Sequence, residues 1–150
     1  MPALPKLNFP AIRLRARDRA GQTEVWDDLR GIWLVLTPEE WVRRHLIAAL
    51  VSHCGARPMR IVQEYAVPLN GQPQRADVVV VDDDAAPLLL AECKAPSIVV
   101  NEKTFAQAVR YNSVLGARYV VLTNGLRHYC CEYRDGRYLR LERFPDLSGR

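Results

Sequence analysis

Residues 75–96 read RADVVVVDDDAAPLLLAECKAP, from Arg75 to Pro96, and this stretch decides the fold. The four valines Val78 to Val81 predict a strand over Ala76 to Val81 that is apolar on both faces, as in a sheet covered on two sides. Asp82 to Pro87 predicts a turn and Leu88 to Lys94 a second strand. Side chains alternate along a strand, so Leu88, Leu90, Glu92 and Lys94 share a face. With Val81 opposite Leu88 across the turn, Asp77 falls opposite Glu92. Upstream, Arg60 to Val67 predicts another strand, folded back through Asn70-Gly71 between Pro68 and Pro73. A turn centred there sets Glu64 opposite Asp77. Directly opposed residues have Cβ atoms about 5 Å apart, so Glu64, Asp77, Glu92 and Lys94 are expected to form one cluster. A one-residue slip in either hairpin would break it.

Outward from this core, Thr37-Pro38-Glu39-Glu40 predicts a helix start: Thr37 caps, Pro38 takes the first helical position and Glu40 completes a capping box. That helix is expected to run to about His53, before Gly55, with Val42, Leu46, Ala49 and Leu50 as its apolar stripe. A second helix is expected from about Glu102 to Leu115, stopped by Gly116, with Phe105, Ala108, Val109 and Leu115 against the sheet and Gln107 and Tyr111 on one other face. Tyr119 to Leu122 predicts a further strand, and Arg127 to Tyr133 with Arg137 to Leu141 a terminal hairpin. Ahead of the first helix, Ile12 to Arg17, Glu24 to Trp26 and Ile32 to Leu36 predict short strands of a small β extension. The prolines Pro2, Pro5 and Pro10 suggest a loose lead-in, and Pro145 and Gly149 a frayed tail. The organisation is one domain over residues 1–150, with the β extension at 1–36, the core at 37–125, and hairpin and tail at 126–150.

The 150 residues are 49% hydrophobic and 25% charged, an ordinary globular profile that disfavours disorder, collagen and coiled coil. No apolar stretch approaches the ~20 residues that span a bilayer, and no export signal stands at the start, so a cytoplasmic location and no membrane are expected. The net charge is +4, with 18 arginines and 3 lysines, a mild pull toward nucleic acid that Arg-rich codon usage explains equally well. Cys54, Cys93, Cys130 and Cys131 form no C-x-x-C pair and His45, His53 and His128 offer no zinc spacing, so reduced, buried thiols are expected. Trp26, Trp33 and Trp41 are expected to pack in the core or at its edge rather than to stack on bases.

Crowded carboxylates repel, which is costly without a cation. Hard Mg²⁺ takes oxygen ligands, one or two carboxylates with water and substrate phosphate. A lysine two residues past a metal-binding glutamate reaches the bound water or the scissile phosphate. The plain alternative is a half-exposed sheet with an ordinary Glu–Lys pair.

At these residues the chain resembles the PD-(D/E)XK nuclease superfamily: Arg75-Ala76-Asp77, then Glu92-Cys93-Lys94-Ala95-Pro96, with Ala76 where a proline is usual. Gln107 to Tyr111 matches the Q-x-x-x-Y motif of its RecB-like branch. The run from Thr37 to Arg43, the E-C-K-A-P segment, Gln107 to Asn112 and Leu122-Thr-Asn-Gly125 resemble stand-alone proteins related to the N-terminal domain of type I restriction R subunits, over roughly residues 25 to 133.

The resemblance implies a restriction-endonuclease-like αβββαβ core, an α/β fold with a central mixed sheet flanked by helices. It implies Asp77 and Glu92 as metal ligands with the Cys93 backbone carbonyl, Lys94 orienting or activating the attacking water, and Gln107 and Tyr111 at the site or the DNA backbone. Glu64 and Glu40 are further candidate acids, as is Glu39; helix capping is the favoured reading of the last two, and Glu64 fits an exposed strand position equally well. Arg43, Arg44, Arg75 and Arg110 are candidate DNA contacts, a solvated helix face being as good a reading for the first two. Mg²⁺ is the implied cofactor, with Mn²⁺ substituting, and DNA the implied partner. Cutting two strands with one site per chain calls for a homodimer. These residues contain no G-x-x-x-x-G-K-[ST] loop, so no nucleotide cofactor and no ATP-driven motor are expected. The expected activity is metal-dependent DNA endonuclease; the other reading is a non-catalytic nucleic-acid-binding or assembly module on the same fold.

Overall fold

A computed structural model describes residues 4–149; Pro2 of the lead-in and Arg150 at the end of the tail lie outside the described residues. A three-stranded antiparallel meander comes first, β1 (Ala16–Arg19), β2 (Gln22–Asp27) and β3 (Ile32–Val35), followed by α1 (Pro38–Ser52). A six-stranded mixed sheet follows, in the order β4 (Ile61–Leu69), β5 (Gln72–Val81), β6 (Pro87–Cys93), β7 (Tyr119–Thr123), β8 (His128–Arg134), β9 (Arg137–Leu141). Helix α2 (Glu102–Leu115) connects β6 to β7, its one parallel neighbour, and every other pair in the sheet is antiparallel. The expected α/β core of helix, three strands, helix and strand is therefore present, with the β extension and the terminal hairpin. No helix of the described residues is long and apolar enough to cross a membrane.

The sheet is buried on both sides. Val78, Val80, Leu89, Ala91 and Val121 face α1 through Val42, Leu46 and Leu50, while Val79, Leu90, Val120 and Leu122 face α2 through Phe105 and Ala108. Each such fully buried aliphatic side chain is worth about 1.5–3 kcal/mol of transfer free energy. Cys130 and Cys131 go to opposite layers, and all four cysteines are buried free thiols.

Several boundaries and ends differ from the sequence reading. The first strand begins at Ala16, not Ile12. The lead-in is docked rather than loose: Leu7 is buried, Asn8 N–H donates to the Gly125 carbonyl at 2.7 Å, and Trp41 Nε1–H donates to the Pro5 carbonyl at 2.9 Å. The tail is docked too, with Leu147 buried and its N–H on the Cys54 carbonyl at 2.6 Å. In both cases one leucine surrounded by turn-forming residues finds a pocket on the core, which composition does not reveal. At the start of α1, Glu40 N–H donates to Thr37 Oγ1 at 3.0 Å, but the return half of the capping box is missing because arginines take the Glu40 carboxylate.

Candidate active site

Asn70 and Gly71 both have positive φ, 52° and 70°, as a two-residue hairpin turn of type I′ requires. The turn fixes the β4–β5 register from Leu69↔Gln72 to Ile61↔Val80, but the ladder is interrupted between Tyr65↔Ala76 and Gln63↔Val78, so Glu64 and Asp77 stand at the gap without pairing. The β5–β6 turn behaves differently. Val81 pairs with Pro87 rather than Leu88, and a bulge between Val80 and Val81 takes up the offset. Past the bulge the pairs run Val80↔Leu89, Val79↔Leu90 and Val78↔Ala91, so the next step brings Asp77 to Glu92.

Glu64 adopts φ 54°, a left-handed conformation unusual for a glutamate within a strand. Strict alternation fails here. Gln63 faces the α1 side, bonding Arg44, whereas Tyr65 and Val67 face the α2 side. Across the ladder, Ala76 belongs to the α2 layer and Val78 to the α1 layer. Asp77 thus sits where the sheet exchanges faces.

Two carboxylates close this seam. Asp77 N–H donates to Glu92 Oε2 at 2.8 Å, and Cys93 N–H donates to Asp77 Oδ2 at 2.8 Å. The carboxylates thus satisfy backbone donors just past the Val78↔Ala91 pair. Glu92 is buried; burial first, then the Asp77 charge and a hydrogen bond shared with Asp77, push its carboxyl up to about 9. The Cys93 thiol, wholly buried beside these acids, is pushed well above its usual range. It is a neutral thiol near pH 7, which leaves its backbone oxygen as the better donor to a hard cation.

A cavity of about 200 Å³ opens over the seam, lined by Thr37, Glu39, Glu40, Arg43, Glu64 and Asp77 along with Cys93. Arg43 pairs with Glu40 through Nε at 2.9 Å and through a second, shorter contact. Burial works against the Arg43 charge, but bonding to Glu40 and the charges of Glu40, Asp77 and Glu64 hold its pKa above the usual value. Glu64 is an exposed strand residue at the cavity rim with its carboxylate on Arg30 at 2.6 Å. The Arg30 bond first, outweighing burial, holds the Glu64 carboxyl below its usual value.

On the α2 side, Lys94 Nζ donates to Gln107 Oε1 at 3.3 Å, Gln107 Nε2 to the Tyr111 hydroxyl at 3.1 Å, and that hydroxyl to Gln74 Oε1 at 3.2 Å. Gln107 is exposed, while the Tyr111 ring is buried in the α2 layer with only its hydroxyl in this chain. Tyr111 is thus core in its ring and site in its oxygen.

The arginines divide. Arg43 reaches the cavity. Arg75 and Arg110 are exposed. Arg44 is buried on Glu40 at 2.9 Å and Asp27 at 3.1 Å, so the expectation that it meets DNA is corrected: its guanidinium is enclosed by acids. Sequence reasoning missed Gln74, whose distance in sequence from Tyr111 hides the contact, and also Asp27 and Arg30. Asp27 binds Arg30 at 2.6 Å, Arg44, and Gln63 Nε2 at 2.9 Å, tying the meander to the cavity wall.

Among the described residues no three His, Cys, Asp or Glu side chains converge as a metal cage. The donors on offer are the apposed carboxylates of Asp77 and Glu92 with backbone oxygen, a hard, open set that suits Mg²⁺ with its retained waters better than zinc.

A profile of the family described as type I restriction enzyme R protein N terminus matches residues 38–145. Among solved structures, a fragment assigned as an HsdR subunit of a type I restriction enzyme from Vibrio vulnificus YJ016 is similar, with 25% identity and a TM-score of 0.56. The match covers 73% of this chain and 24% of that one, so the chain spans about a quarter of its structural relative. No curated protein matches the chain.

Proposed function

Because the chain belongs to the type I restriction enzyme R protein N-terminal family, we propose that it is a nuclease module of PD-(D/E)XK type, cutting DNA phosphodiester bonds with Mg²⁺. The observation that carries this reading is the crossed pair of Asp77 and the buried Glu92, each carboxylate accepting from a backbone N–H of the facing strand, with Lys94 two residues past Glu92.

Asp77, Glu92 and the Cys93 carbonyl would hold the ion, with Glu40 and Glu64 on the cavity wall. When bound, Mg²⁺ would supply Lewis-acid charge to the phosphate and lower the pKa of a water. Lys94 is held by Gln107, which Tyr111 and Gln74 hold in turn. These hydrogen bonds would steady the ammonium beside the negative charge that develops as the phosphorus–oxygen bond breaks. They also leave Lys94 donors for the attacking water or a phosphate oxygen. Arg43, oriented by Glu40, adds a second positive group over the cavity for the DNA backbone. Arg75 and Arg110 are the exposed candidates for further phosphate contacts, and a homodimer would supply the second site for a double-strand cut.

The test is cleavage of supercoiled plasmid and of end-labelled single-stranded and duplex DNA with Mg²⁺, Mn²⁺ or EDTA. Metal-dependent nicking lost in Asp77→Ala and Lys94→Ala supports the proposal. Cleavage that persists in both variants, or Mg²⁺ binding without cleavage of any substrate, rejects it.

A further inference from the structure

The β1–β3 meander lies outside residues 38–145, and its outer face takes no part in the site above. Alternation along β2 buries Val25 and Asp27 and turns Glu24 and Trp26 to the other side. Trp26 N–H donates to the Arg15 carbonyl at 2.8 Å and Trp26 pairs with Trp33; the next row runs Arg17, Glu24, Val35, and Arg19 stands opposite Gln22. These residues share one face. The Arg15 guanidinium lies 5.3 Å from each indole centroid, Arg17 lies 4.1 Å over Trp33, and the two indoles meet edge-on at 5.3 Å.

A guanidinium stacked on a ring interacts through its flat face and keeps its in-plane N–H donors. Arg17 uses Nε on Glu24 at 2.7 Å. Among the described residues Arg15 and Arg19 make no ion pair, and both are exposed. The indoles are half-buried and hold arginines in place rather than offering a bare apolar patch.

We propose that this face docks a DNA strand, its phosphates gripped by Arg15, Arg17 and Arg19. This rests on DNA being the substrate of the site above. Charge complementarity favours it, three arginines against the single Glu24, and so does pre-organisation, since the indoles fix guanidinium planes that a phosphate binds bidentately. Position favours it as well: Val35 ends β3 two residues, or about 7 Å of extended chain, before Thr37 on the cavity rim. The Arg30–Glu64 and Arg44–Asp27 pairs lock the meander to that rim. The face thus extends the phosphate track outward from the cavity.

The experiment measures fluorescence anisotropy of a fluorescein-labelled DNA, as duplex and as single strand, titrated with the full chain in EDTA over about 50 to 200 mM NaCl. Replacing Arg15→Gln together with Arg17→Gln is expected to weaken binding about tenfold or more and to lower the duplex salt slope by about two. Trp33→Leu, which keeps every charge, is expected to weaken binding severalfold with the slope unchanged. Arg19→Gln, which touches neither ring, lowers the slope by about one and serves if the double variant fails to fold. A double variant or Arg19→Gln with wild-type affinity and slope overturns the proposal, as does wild-type chain that binds neither DNA. Wild type that binds through this face yet cuts nothing rejects the nuclease reading alone, whereas a cutting enzyme indifferent to Arg15, Arg17 and Arg19 rejects the docking face alone.

Discussion

Arg30 Nη1 lies 2.6 Å from Glu64 Oε2, joining the turn after β2 to the cavity wall across 34 positions of sequence. The same Arg30 bonds Asp27, which also faces the buried Arg44. Truncating Asp27 therefore leaves Arg44 enclosed with one fewer acid, and Asp27→Ala is expected to cost about 3–5 kcal/mol. Arg30→Ala breaks the exposed Glu64 pair and one of the bonds to Asp27, which keeps Arg44 and Gln63, and is expected to cost less, about 1–2 kcal/mol. Urea unfolding of the two variants checks the order, and an equal cost would show that the Asp27–Arg44 pair is not the principal tie.

Asp27 also carries a pH signature. Burial raises its pKa, but the bonds from Arg30 and Gln63 and the Arg44 charge outweigh it, leaving a net value below the ordinary 3.8. The folded state binds this proton more weakly than the unfolded chain. Its contribution is therefore present above about pH 4 and lost as pH falls through the folded pKa. Melting of wild type and Asp27→Asn should converge on acidification below that point.

Glu92 works in the opposite sense. Its folded carboxyl titrates near 9 against an ordinary 4.5, so its contribution is fully present below pH 4.5 and lost as pH rises toward 9. Glu92→Gln should gain stability relative to the metal-free wild type steadily from pH 6 to pH 9. On the proposed reading Mg²⁺ displaces the Glu92 proton, so wild-type affinity should rise across the same interval with proton release. Calorimetry in two buffers of different ionisation enthalpy measures that release, and a Mg²⁺ affinity flat with pH would contradict it.

Tyr111→Phe removes the link between Gln107 and Gln74 while keeping the buried ring. Stability should fall by about 0.5–1.5 kcal/mol. Single-turnover cleavage should slow by about tenfold to a thousandfold, the range for one positioned donor, with Mg²⁺ affinity unchanged. An unchanged rate at saturating DNA and metal would make the hydroxyl incidental.

Gly125 adopts φ 85°, and a Cβ there would stand 2.7 Å from Leu7 Cδ2. Leu7 can yield, but the backbone cannot relax without strain, so Gly125→Ala is expected to cost about 1–2 kcal/mol. It should also expose the lead-in to protease, which limited digestion of wild type and variant would show.

The order of β4, β5 and β6, α2 with its bounds, and the approach of Asp77 to Glu92 were legible because they rest on local signals: the valine run, Asn70-Gly71, and Gly116 ending α2 in the left-handed region. The Val81–Leu88 pairing was not, because a bulge beside Val81 absorbs one residue without any glycine to announce it. Nor was the fate of Arg44, since a helix-face arginine reads as solvated until Asp27, from a separate sheet, is known to lie against it. Period-two reasoning also fails at Glu64, where one left-handed residue reverses the alternation. Of the four residues expected in one cluster, only Asp77 and Glu92 are in contact, while Lys94 is tied to Gln107 and Glu64 to Arg30.

The reversal of sheet faces at Asp77 has a consequence for how the chain tolerates change. Ala76 is rooted in one hydrophobic layer and Val78 in the other, so the aspartate hangs between two independently packed slabs. A cavity opened under α1, as by Leu50→Ala, and one opened under α2, as by Phe105→Ala, would each tilt Asp77 from its own side. Sequence drift in either slab is therefore constrained by the position of a single carboxylate, and compensating changes should be sought across the sheet rather than within a layer.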